Sequence, residues 1–75
     1  MIYAKSSKRI LKMIGCDKLS LEYASGDYYW YFIYDDPANE IFETQSVYVM
    51  RLNSMSLERW VEDGKSFVKK IESEN

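Results

Sequence analysis

Six of the seven residues from Tyr28 to Tyr34 are aromatic, and they hold half of the chain's two Trp, seven Tyr and three Phe residues. A β-strand sends alternate side chains to opposite faces, so one face receives Tyr28, Trp30, Phe32 and Tyr34 and the other Tyr29, Tyr31 and Ile33. A small domain has one core and normally covers one face of its sheet. The second face is therefore either covered by another element or turned towards a partner. This single segment bounds both the fold and the function.

The chain has 75 residues, which is one domain, 1–75. A chain this short buries only about 60% of its unfolded surface, and it carries no cysteine pair or metal motif to staple it. Large rings can stand in, since each removes roughly 150–250 Å² from water. The Trp30 face is thus expected to be core. Tyr29 and Tyr31 are the candidates for exposure, because tyrosine is often only partly buried and its hydroxyl needs a partner.

The flanking sequence gives the rest of the architecture. Ser6 and Ser7 precede Ile10, Met13 and Ile14 on one helical stripe, and Gly15 is placed to end a first helix over about residues 6–14. Leu19, Leu21 and Tyr23 alternate with Ser20, Glu22 and Ala24, the pattern of a half-buried strand. Ser25-Gly26-Asp27 then supplies turn chemistry, so this strand and the aromatic one read as a hairpin. The aromatic strand is apolar on both faces and is expected at the centre of the sheet.

Asp35-Asp36-Pro37-Ala38-Asn39 interrupts the ladder. Ile41 and Phe42 offer the start of a strand, but the clearer pattern is Val47 to Leu52, which a hairpin would place beside the central strand. Asn53, Ser54 and Ser56 suit a helix start. Leu57, Trp60, Val61, Gly64, Phe67, Val68 and Ile71 then form an amphipathic face. Gly64 in that stripe permits either close packing or a break into two short helices. The expected fold is α+β: helix, three-stranded antiparallel meander, helix. Which sheet face the helices cover stays open.

Charge is uneven. Residues 1–18 carry five basic side chains, Lys5, Lys8, Arg9, Lys12 and Lys18, against Asp17 alone. The remainder carries five basic against eleven acidic residues, and the chain totals −2. Cys16 is the only cysteine and there is no histidine. A lone Cys fits a reducing compartment, the first residues lack the apolar run of a signal peptide, and no segment approaches the ~20 apolar residues of a membrane span. The expectation is a cytoplasmic protein without membrane attachment.

Catalysis finds no support. The available acids and bases form no recognised constellation, so no catalytic residue, cofactor or metal is expected. The acids around Asp36 lack the spacing and central glycine of a calcium loop, and zinc has no ligand set. A stacking platform for single-stranded nucleic acid would need positive charge beside the rings. Instead Asp27, Asp35, Asp36, Glu40 and Glu43 flank the aromatic strand and would repel phosphates. Tyrosines rimmed by carboxylates suit a basic protein surface better, with Tyr29, Tyr31, Asp35, Asp36, Glu40 and Glu43 as the candidate contacts. A homo-oligomer closing on the same face or on a sheet edge is the alternative, with a single-stranded nucleic-acid binder behind it.

In size, acidity and scarcity of cysteine the chain resembles the compact accessory proteins that bacteriophages and mobile elements make to block host machinery, inhibitors of CRISPR systems among them. That resemblance implies a stoichiometric inhibitor that covers a site and performs no chemistry.

Overall fold

The computed structural model describes residues 3–74. In chain order they form helix α1 (Ser7–Ile14), strands β1 (Leu19–Ala24), β2 (Tyr29–Asp36) and β3 (Ile41–Val47), and helix α2 (Leu57–Glu74). Single 3-10 turns lie at Pro37–Asn39 and Leu52–Ser54. The strands make one antiparallel sheet in the order β1-β2-β3, with the aromatic strand in the middle as its two apolar faces require.

The C-terminal end of α1 follows the sequence signal, but Ser6 makes no side-chain cap bond and Met13, expected on the apolar stripe, is exposed. Ser6 is extended at its start, and Gly15 ends it at φ 78° while its N–H donates to the Leu11 carbonyl at 3.0 Å. Glycine adopts this left-handed conformation at little cost, which is why the helix stops there. At α2, the Ser56 hydroxyl accepts from the Arg59 N–H at 3.2 Å and caps the first turn. The helix runs unbroken through Gly64 for 18 residues. A Cβ on Gly64 would run into the Ile14 side chain and reach 3.3 Å from Phe32 Cε1. The glycine therefore permits a close approach of α1, α2 and the sheet.

That three-way contact decides which face is covered. Both helices pack on the face carrying Trp30, Phe32 and Tyr34. Phe32 is completely buried, with ring centroids 6.0 Å from Trp60 and 6.3 Å from Phe67. Ile10, Leu19, Leu21, Val47, Leu57, Val61 and Ile71 complete the core. The Trp60 indole N–H donates to the Leu52 carbonyl at 2.7 Å, so this buried donor is satisfied and α2 is tied to the preceding loop.

Two further expectations fail. The third strand is Ile41–Val47 and not Val47–Leu52. Glu40 takes a left-handed conformation, φ 55°, and its N–H donates to the Pro37 carbonyl at 3.2 Å. The chain has therefore reversed by Ile41, which pairs with Asp36, and the ladder is used up when Val47 meets Trp30. As an edge strand β3 needs apolar residues only where it meets the core, and Glu43, Thr44, Gln45 and Ser46 obscure its pattern. The Val49 N–H then donates to the Val47 carbonyl at 2.7 Å in a tight turn that leads the chain out of the sheet. The second failure is Tyr28. It lies outside β2, in the hairpin turn, at φ 58° and largely exposed. Its N–H and that of Asp27 both donate to the Ala24 carbonyl, closing the turn.

Candidate functional site

The face of the sheet opposite the helices is built row by row from the strand register. Ala24 stands beside Tyr29, Glu22 beside Tyr31 and Ser20 beside Ile33; on the other side Ser46 flanks Tyr31, Thr44 flanks Ile33 and Phe42 flanks Asp35. Directly paired residues point to the same face, so these side chains form one continuous surface. No described helix lies over it. Tyr29 and Tyr31 are half-buried all the same, because the rings shield one another. Their centroids are 6.2 Å apart, and Tyr48, just beyond β3, comes to 5.4 Å from Tyr29. Tyr48 is 83% exposed and Phe42 66%, which makes both ends of the outer strand apolar and open.

The electrostatics are one-sided. The three strands contain no Lys or Arg, and their four charged residues, Glu22, Asp35, Asp36 and Glu43, are all acidic. Glu22 and Asp35 stand on the open face itself. The positive side chains lie on the helices and the connecting segments, so the strands beneath the tyrosines contribute negative charge only.

The six residues expected to make contacts do not all meet. Tyr29 and Tyr31 form the centre, and Asp35 is exposed at one end of the same face. Glu40 projects from the adjoining turn. Glu43 pairs with Tyr34 and so belongs to the helix side, exposed on the outer strand. Asp36 turns inward and is 4% exposed. Its carboxylate accepts a hydrogen bond from the Asn39 amide at 2.8 Å and pairs with Lys18 Nζ at 3.2 Å. These partners, the Asn39 bond foremost, hold its carboxyl below the ordinary range despite desolvation. The bond to Asp36 in turn raises the Lys18 amine. Burial pushes the neighbouring Tyr34 phenol up. Asp36 is a structural acid that anchors the turn.

Glu22, Ile33, Phe42 and Tyr48 belong to the surface and were absent from the expected contacts. Glu22 was readable, since placing Leu19 and Leu21 in the core sends it outward. Tyr48 was not, because its position depends on where β3 ends. Among the described residues no three His, Cys, Asp or Glu side chains come together. Cys16 is a half-buried free thiol in the α1–β1 connection. No described helix is long and apolar enough to cross a membrane. Comparison with known protein families, with curated proteins and with solved structures finds no match for this chain.

Proposed function

We propose that this chain is a non-enzymatic protein-binding module whose open sheet face docks on a basic surface of a protein partner and acts as an inhibitor by covering it. The observation that carries the reading is a tyrosine surface left uncovered by both helices on a sheet whose every charge is negative. Tyrosine gives large, rigid contact area with few torsions to order, and interface centres are enriched in it. Glu22 and Asp35 beside the rings, with Glu40 at the rim, would steer a Lys/Arg-rich target and reject an acidic one. The nucleic-acid groove of another protein is a surface of that kind. In a basic cytoplasmic partner such a module needs only to bind and exclude.

The test is affinity capture from the native host, followed by reconstitution with the purified partner. Binding is expected to fall steeply with salt and to be lost in a folded Tyr29→Thr/Tyr31→Thr variant and in Asp35→Lys. Binding that survives both variants defeats the reading. So does a partner whose contact site is acidic.

A second reading rests on the outer edge of β3, which carries neither Lys nor Pro to block pairing with another strand. It makes the chain a homo-oligomer joined edge to edge. A monomer in sedimentation at high protein concentration removes it. Single-stranded nucleic acid as the ligand is removed by the absence of binding at low salt.

A further inference from the structure

On the helix side, at the end of the sheet where β1 turns into β2, the Tyr23 and Trp30 rings stand 5.2 Å apart. The segment leaving β3 passes beside them, and Tyr23, Trp30, Met50 and Leu52 become the walls of a groove of about 470 Å³. That volume falls within the roughly 300–1,000 Å³ usual for small-molecule sites. Tyr23 and Met50 are partly to largely exposed, so the walls face solvent.

Charge gives the groove a chemical preference. Among the described residues its only charged lining residues are Lys5 and Arg51, both exposed. This is an all-cationic rim in a chain of net charge −2 whose strands are wholly acidic. The Trp30 indole N–H is shielded from solvent and has no acceptor among the described residues. The Trp60 indole, by contrast, is bonded to the Leu52 carbonyl. Trp30 forms part of the groove wall, so its indole signal reports whether a guest sits there.

We propose that this groove binds a small amphipathic monocarboxylate, an aromatic or short aliphatic acid. Its apolar body lies against Tyr23, Trp30, Met50 and Leu52, and its carboxylate faces Lys5 and Arg51. Arginine matches a carboxylate with two parallel N–H donors, and methionine adapts its shape to an apolar guest. The site is on the opposite side of the sheet from Tyr29 and Tyr31, and it stands or falls independently of the open face.

The experiment is a ¹⁵N NMR titration with 3-phenylpropionate and, separately, with 3-phenylpropylammonium, which has the same body and the opposite charge. The two indole N–H signals are assigned with Trp30→Phe. The expected result is a saturable shift of the Trp30 signal with the carboxylate at millimolar concentration and none with the ammonium. A Lys5→Ala/Arg51→Ala variant, altered only at exposed positions, should bind the carboxylate at least roughly tenfold more weakly. Equal binding of the two probes overturns the proposal, as does unchanged affinity in the double variant or no saturable shift with the carboxylate.

Discussion

Phe32 and Tyr31 are neighbours on one strand, and they do opposite work. Phe32 faces Trp60 and Phe67 and is completely buried. Tyr31 faces away from both helices and leans on Tyr29. Composition alone makes the two sides of β2 look alike, since both are aromatic. What separates them is where the two helices meet, at the bare backbone of Gly64 beside Ile14 and Phe32. A small domain that spends its helices on one face stakes its stability there and leaves the other free to bind.

The comparison can be broken most severely at Phe32. Phe32→Ala should cost about 3–5 kcal/mol, enough to unfold much of a domain this small, whereas Tyr31→Thr should cost under about 1 kcal/mol. Urea unfolding of the two variants measures the contrast, and comparable losses would mean that both faces are core. Gly64→Val comes next. The added branches must displace Ile14, so overpacking should cost about 1–3 kcal/mol in the same assay.

The hairpin turn offers a change of the other sign. Tyr28 is held at φ 58°, a conformation that costs a residue with a side chain about 1–2 kcal/mol. Tyr28→Gly is expected to gain about 1 kcal/mol, seen as a higher thermal midpoint. If Tyr28 takes part in docking, the same variant binds its partner less well, and the strain has a functional reason.

Asp35 and Asp36 sharpen the comparison with the smallest change, since they are adjacent carboxylates on opposite faces. The Asp36 carboxyl lies lower in the folded chain than its ordinary 3.8. Its stabilisation is therefore present above that value and is lost as pH falls through the folded value. The Lys18 amine is raised above 10.5, so its share is present below that value and is lost as pH rises through the folded one. Thermal melts from pH 7 down to 2 should show a shallower acid loss in Asp36→Asn than in the native chain. Asp35→Asn should instead weaken partner binding, read as a loss of affinity for the captured protein.

How much of this was legible in the sequence follows from where side chains decide structure locally. The C-terminal end of α1, the β1–β2 pairing, the central place of β2 and the core stripe of α2 each had a local signal, in Gly15, in alternating Leu19 and Leu21, in the aromatic run and in the 3–4 spacing from Leu57. The extent of β3 had none, because an edge strand with Glu43, Thr44 and Gln45 looks like a loop until the Glu40 turn fixes its register. The division of Asp35 from Asp36 depends on that register. So does the arrival of Tyr48 beside Tyr29. The covered face was legible only in part: the bulk of Trp30 and Phe32 pointed to their side as core, but a strand aromatic on both sides has no alternation to say where the helices lie.

The central claim is that the tyrosine face binds and does not fold the protein. It is tested most directly by measuring the affinity of the captured, purified partner for the native chain and for Tyr29→Thr/Tyr31→Thr, with thermal melts run beside it. Threonine keeps the β preference of the strand while removing both rings. A cooperative melt with the midpoint lowered by no more than about 10 °C and an affinity lost by at least roughly a hundredfold are expected. A variant that no longer folds, or one that folds and still binds as tightly, contradicts the claim.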